Sequence, residues 1–256
     1  MINISKISGE TFLGKLLRLP LGCIPKNAVM RILQGPNKGL KWIKGSGNNS
    51  YWLGAYEIEK QQIMKGALRE GMVFYDIGAH VGFFTILAAR QVGRKGLVVA
   101  FEPFEKNLHC LEKNVALNGF QNVIIKKGVV TEKIGHSYFQ KGESSAGGHI
   151  SDKGEMVPAY SIDELVAKGL QRPDVVKIDV QGAALLALRG MAKTLKNNNV
   201  KIFIAIDNGP RQGIPRFSKK DIHDFLKSIG YSAVGMRGEK IPGGCLEEAN
   251  EIFACK

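Results

Sequence analysis

"VFYDIGAHVGFFT", Val73 to Thr85, decides how this chain is read. Apolar and aromatic residues run into an acid, Asp76. Two glycines four apart follow, Gly78 and Gly82, and then another apolar run. A short apolar run, a glycine turn and a helical pattern form the strand–turn–helix unit of an open α/β sheet. Such turns usually cradle phosphate at a helix N-terminus. Here the spacing is D-x-G-x-x-x-G and not the dinucleotide pattern GxGxxG. A carboxylate at the mouth of the turn repels phosphate and suits an ammonium or sulfonium centre. Gly78 has the backbone freedom a tight turn needs, and Gly82 lets the helix start press against a ligand.

Outward from this stretch the pattern alternates. "GLVVAFEP" (Gly96 to Pro103), "NVIIKK", "DVVKID" (Asp174 to Asp179) and "VKIFIAID" (Val200 to Asp207) read as further strands. Helices lie between them, one with Leu108, Leu111 and Val115 on one face and Gly119 at its end. Another carries Leu185, Leu188, Ala192 and Leu195 in register. This alternation predicts a parallel, doubly wound sheet with both faces covered. Ser218 and Asp221 predict a capping box for a late helix with Ile222, Phe225, Leu226 and Ile229 inward. "YSAVGM" and "EIFACK" then predict an antiparallel hairpin at the sheet edge, since their connection has no room for a crossover helix. The segment from Val129 to Pro173 is too long for a plain crossover; its "SYFQ" and "GESSAGGHIS" predict a functional loop or small hairpin over a site.

Ligands of such sheets bind beyond the carboxyl ends of the strands. Glu102 ends the second strand, 26 residues after Asp76, where an acid accepts both hydroxyls of a ribose. A nucleoside with a positive charge and no phosphate is S-adenosylmethionine, which becomes the expected cofactor.

The 256 residues, 44% apolar and 23% charged, fit one large α/β domain, residues 71–256, behind a basic N-terminal extension or cap, residues 1–70. No apolar run reaches the roughly 20 residues needed to span a bilayer, and the first residues lack a signal peptide's apolar core. Four scattered cysteines without a CxxC pair suit reduced thiols, so a cytoplasmic location is expected. Of a net charge of +13, Met1 to Ser50 contributes eight Lys or Arg against the single acid Glu10. A solubilising surface accounts for this. "FLGKLLRLPLG" also reads as a short basic amphipathic helix able to touch an anionic membrane surface. Trp42, Tyr51, Trp52 and Tyr56 crowd the same extension and read as a hydrophobic cap, with a stacking platform as the other reading.

The chain resembles the FkbM-type S-adenosylmethionine-dependent methyltransferases. The likeness rests on "FYDIGAHVGFFTILAAR", "GLVVAFEPFEKNLHCLEKNVALNG", "SIDEL" and "VVKIDVQG". It implies a Rossmann-like class I methyltransferase fold with a seven-stranded sheet, and O-methylation of a hydroxyl on a sugar or other small or glycan-type acceptor. By the same likeness Asp76, Gly78, Gly82 and Glu102 line the cofactor pocket, with Pro103 and Asn107 close by. Four positions depart from the family pattern. His80 stands where asparagine is usual, and Gln181 and Ala184 replace two glutamates. An acid of the fifth strand falls at Ala205, with Asp207 two residues on.

Methyl transfer from a sulfonium is a displacement driven by positioning, and an alcohol acceptor also needs a base. Asp179 ends the fourth strand on the rim shared with Asp76 and Glu102. It reads as that base, or as a holder of the methionine ammonium group. His149, in the polar insert, is the other candidate base, since histidine as a class titrates near neutrality. His80 is expected to hydrogen-bond the cofactor. Gln181 orients an acceptor hydroxyl but cannot take its proton, and Asp207 is a further acceptor-end candidate. No metal is expected. Two other functions stay open: an RNA methyltransferase, motivated by the positive charge although no RNA-binding module is recognisable, and a weakened S-adenosylmethionine-binding protein, motivated by the missing glutamates.

Overall fold

The computed structural model describes residues 23–142, 148–206, 217–235 and 251–256. First comes an antiparallel pair, β1 (Val29–Arg31) and β2 (Lys41–Ile43), then helices α1 (Asn49–Leu53) and α2 (Ile58–Ala67). Strands β3 (Val73–Ile77), β4 (Leu97–Glu102) and β5 (Val123–Lys127) alternate with α3 (Phe83–Val92) and α4 (Glu105–Leu117). Four strands, β6 (Val129–Val130), β7 (Gly135–Gln140), β8 (His149–Ser151) and β9 (Glu155–Tyr160), then form a separate small sheet, followed by α5 (Ile162–Ala167). After these come β10 (Val175–Ile178), α6 (Ala184–Arg189), α7 (Ala192–Asn197) and β11 (Lys201–Ala205). Last are α8 (Lys219–Ser228), β12 (Ser232–Gly235) and β13 (Glu251–Cys255).

The main sheet runs β12-β13-β11-β10-β3-β4-β5. β5, β4, β3, β10 and β11 are parallel, and β13 is antiparallel to both its neighbours. This is the expected mostly parallel, seven-stranded, Rossmann-like arrangement. All five residues of β3 are buried, because helices cover both faces of a parallel sheet. Successive side chains alternate between those faces: Val73, Tyr75 and Ile77 pack with α6 and α7, while Phe74 packs under α3. The hairpin at the C-terminal end forms as expected, with β13 inside and β12 at the edge. Burial explains the order, for Ile252 and Ala254 of β13 are fully buried whereas β12 begins exposed. The capping box of Ser218 and Asp221 is present.

The single helix expected over Leu185 to Leu195 is broken into α6 and α7. Gly190 lies at the break, pressed against the chain before β7. A Cβ there would come within 1.9 Å of the Thr131 carbonyl oxygen. Its own carbonyl accepts from Asp163 N at 2.9 Å and Ser161 Oγ at 3.1 Å, so the helical ladder is interrupted. The insert over Val129 to Pro173 is more than a loop, since β7 pairs antiparallel with both β8 and β9.

The N-terminal pair is pinned to the main sheet through α4. Asn118 Oδ1 accepts from Lys41 N at 2.8 Å, and Asn114 Oδ1 accepts from Ile43 N at 3.1 Å. Trp42 and Trp52 are buried with Phe83 and Leu111, so neither is available to stack on a base or sugar. The expected membrane-touching helix and Asp207 lie outside the described residues. Among the described residues no helix is long and apolar enough to cross a membrane.

Candidate functional site

The chain leaves β3 toward β4 and leaves β10 toward β11, so strand order reverses between these neighbours. A crevice opens beyond the strand tips at such a point. Here it is a cleft of about 940 Å³ including its open mouth.

The turn after β3 forms one wall. Gly78 has φ +80°, and its N–H, with that of Ala79, donates to the Phe101 carbonyl at 3.0 Å. A Cβ on Gly78 would lie 2.1 Å from the Asp179 carbonyl oxygen, so the turn crosses directly against the β10 tip. His80 also has positive φ, 52°, which aims its N–H at Glu102 Oε2, 2.8 Å away. Glu102 Oε1 accepts from Phe104 N and Asn107 Nδ2, both at 3.1 Å. Three donors thus hold a carboxylate with about four acceptor positions, leaving capacity for a ligand. Gly78, His80, Glu102, Pro103 and Asn107 all line the cleft.

Asp76 and Gly82 do not. Asp76 lies on the α3 face of β3, fully buried, where its carboxylate accepts from Thr85 Oγ1 at 2.7 Å and Lys177 Nζ at 3.0 Å. It is one step short of the strand tip and points away from the cleft. Gly82 faces Leu111, whose Cδ1 would be 2.5 Å from an added Cβ; the close approach serves helix packing.

The cleft is also lined by Asp179 and Gln181, with His149 from the small sheet and Tyr51 and Tyr56 from the N-terminal segment. Ala184 is buried at the start of α6. Among the described residues, His149 Nδ1 and Gln181 Oε1 are buried without a hydrogen-bond partner, and both residues line this cleft.

Residues 76–233 match the Methyltransferase FkbM domain. The chain belongs to this family. It is therefore an S-adenosylmethionine-dependent methyltransferase. A probable cobalt-precorrin-6B C(15)-methyltransferase (decarboxylating) of Sulfurisphaera tokodaii is 27% identical over 166 residues, 65% of this chain and 84% of its own length. The hexuronic acid methyltransferase AglP of Haloferax volcanii is 29% identical over 144 residues, 54% of this chain and 59% of that protein. The crystal structure of a methyltransferase FkbM from Methylobacillus flagellatus overlays with a TM-score of 0.49 at 14% identity, covering 81% of this chain and 53% of that one.

Two lysines not foreseen as site residues set the electrostatics of this FkbM methyltransferase. Lys177 Nζ, 3.0 Å from Asp76, also donates to the Gly78 carbonyl at 3.0 Å and lies 3.6 Å from Asp179 Oδ2. Lys60 Nζ, from α2, lies 3.8 Å from the same oxygen. Burial would raise the Asp179 carboxyl, but the two ammonium groups overcome it and hold the acid below its ordinary range. Burial lowers Lys177, and Asp76 and Asp179 more than restore it, so it stays protonated. Burial raises Glu102 despite its three hydrogen bonds. His80 is pushed down to about 4 by burial and by Lys177, so its ring is neutral at physiological pH. Its Nδ1 lies 3.3 Å from the Tyr51 hydroxyl, itself pushed up to about 12 by burial.

One signal for Lys177 was in the sequence. A lysine inside the apolar run "DVVKID" has no solvent to reach and needs a buried partner. Tyr51 and Tyr56 gave no such signal.

Proposed function

We propose that the enzyme methylates a hydroxyl oxygen of a sugar or other small glycan-type acceptor. The carrying observation is that one cleft is lined by Glu102 and by two residues that, among the described residues, each bury a polar atom without a partner, His149 Nδ1 and Gln181 Oε1. Buried polar atoms are normally hydrogen-bonded, so this pair fits a polar ligand. The hexuronic acid methyltransferase relative supports the glycan class.

The donor set fits S-adenosylmethionine, which supplies an electrophilic methyl carbon on a sulfonium. Glu102 accepts the ribose hydroxyls, held for that purpose by His80 N, Phe104 N and Asn107. Gly78 and Pro103 shape the wall beside it. Asp76 and Gly82 contribute from behind, through Lys177 and through the α3–α4 packing. Asp179, with its lowered proton affinity, is a weak base and suits holding a cationic ammonium group. Gln181 Oε1 would accept from a neighbouring hydroxyl of the acceptor and so orient it, and His149 Nδ1 would take the proton of the hydroxyl that receives the methyl group as its carbon–sulfur bond to the cofactor breaks.

Parallel titration calorimetry with S-adenosylmethionine and NAD tests this. Binding of the first alone is expected, weakened about 10–100-fold in Glu102→Ala, the worth of one hydrogen bond to a charged group. Methylated product is expected from a panel of hydroxyl-bearing sugars, with the His149→Ala variant losing turnover and keeping cofactor affinity. Binding of NAD, or unchanged affinity in Glu102→Ala, overturns the reading.

A further inference from the structure

Lys60 occupies a place where a lysine is costly. In α2 it shares the buried stripe with Gln61 and Met64, and its side chain is only 5% exposed. An unpaired ammonium there would cost several kcal/mol, about what a buried ion loses in leaving water. Three carboxylates surround it instead: Glu251 Oε1 at 2.5 Å, Glu57 Oε2 at 3.1 Å and Asp179 Oδ2 at 3.8 Å. Its ammonium also lies over the Phe84 ring, 5.4 Å from the centroid, on the ring that Lys177 approaches at 5.7 Å.

These partners come from separate parts of the chain. Glu57 immediately precedes α2, Glu251 opens β13, and Asp179 follows β10. Lys60, Glu57 and Glu251 all lie outside the family-matched segment 76–233, yet Lys60, held by the two glutamates, reaches the cleft-lining carboxylate Asp179. Lys177 holds Asp179 from within the sheet, and Lys60 holds it from outside. Both contacts fall on Oδ2, which leaves Oδ1 as the oxygen able to meet a ligand.

We propose that Lys60 is a positioning residue for the site, anchored by Glu57 and Glu251, that fixes Asp179 as an oriented, ionised ligand-binding carboxylate. This rests on reading Asp179 as ligand-facing. The charged and titratable groups around Asp179 are Lys177 and Asp76 on the sheet, Lys60 and Glu57 at α2, Glu251 on β13, His80 in the turn, and Tyr51 and Tyr56. Among the described residues Lys60 and Lys177 are the two cations of this set, and Lys60 can be removed without breaking the Asp76–Lys177 pair.

The test is S-adenosylmethionine affinity across pH 3 to 8 by calorimetry, for wild type, Lys60→Met, Lys60→Arg and Asp179→Asn. An opposite charge within about 4–6 Å lowers a carboxyl by 1–3 pH units, so Lys60→Met is expected to move the acidic limb of binding up by about one unit. Lys60→Arg restores the limb. A merely structural lysine would change the melting midpoint and leave the limb in place. That result, with Asp179→Asn still weakening binding, overturns the positioning role alone. Unchanged binding in Asp179→Asn overturns the reading of Asp179 on which it rests. If Lys60→Met does not fold, Lys60→Gln keeps a donor for Glu251 without the charge and carries the same expectation.

Discussion

Asp76 meets Lys177 behind the site, 3.0 Å apart, and neither is among the residues that line the cleft. The two are in-register neighbours on parallel strands, so their side chains leave the sheet on the same face. The negative charge read at the mouth of the turn therefore acts one step back: Asp76 fixes Lys177, and Lys177 fixes Asp179 and the Gly78 carbonyl. Removing one partner leaves the other buried and uncompensated. Lys177→Met is expected to cost about 3–5 kcal/mol of stability in urea unfolding. Asp76→Asn is expected to be destabilising as well, and the double variant should cost at least about 1 kcal/mol less than the sum. Additive losses would show that the pair is not coupled.

Gly78 and Gly119 separate backbone from steric effects. Both have positive φ, +80° and +66°, but a Cβ on Gly78 meets the Asp179 carbonyl at 2.1 Å while one on Gly119 meets nothing within 4 Å. Each alanine substitution carries the left-handed backbone cost of about 1–2 kcal/mol. Only Gly78→Ala must also push the turn off the β10 tip. It is expected to melt well below Gly119→Ala and to lose measurable S-adenosylmethionine binding, which Gly119→Ala keeps. Equal melting midpoints would contradict the close approach.

The sheet, the turn and Glu102 were legible because each leaves a local mark: an apolar run, a glycine pair, an acid at a strand end. The face taken by Asp76 was not, because one residue of strand phase separates the cleft from the buried α3 face behind it. Register against β10 was needed to see it. Tyr51 and Tyr56 could not be told apart from Trp42 and Trp52, the other members of the suspected stacking platform, for another reason. They read correctly as part of an aromatic cap, with Tyr51 stacked on Trp42 at 5.4 Å, but only the docking of β1 and β2 on α4 brings them to the cleft. The break at Gly190 was hidden in the same way, since it answers to Thr131, far off in sequence.

His80 joins the site by its backbone, and its side chain carries a separate signature. Its N–H donates to Glu102 at 2.8 Å, a contact any residue tolerating positive φ preserves. Asparagine, usual at this position in the family pattern, is such a residue. His80→Asn is therefore expected to bind S-adenosylmethionine close to wild type. Stability should respond differently. Burial first, then Lys177, lowers the imidazole from 6.5 to about 4, so the folded state sheds a proton that the unfolded chain keeps in this range. The contribution is complete above 6.5 and is lost as pH falls toward 4. Wild-type unfolding free energy should thus decline more steeply than that of His80→Asn across this window, by up to about one proton's worth of slope. Denaturant titrations at half-unit steps read the slopes directly, and parallel slopes would mean that the buried imidazole does not titrate on unfolding.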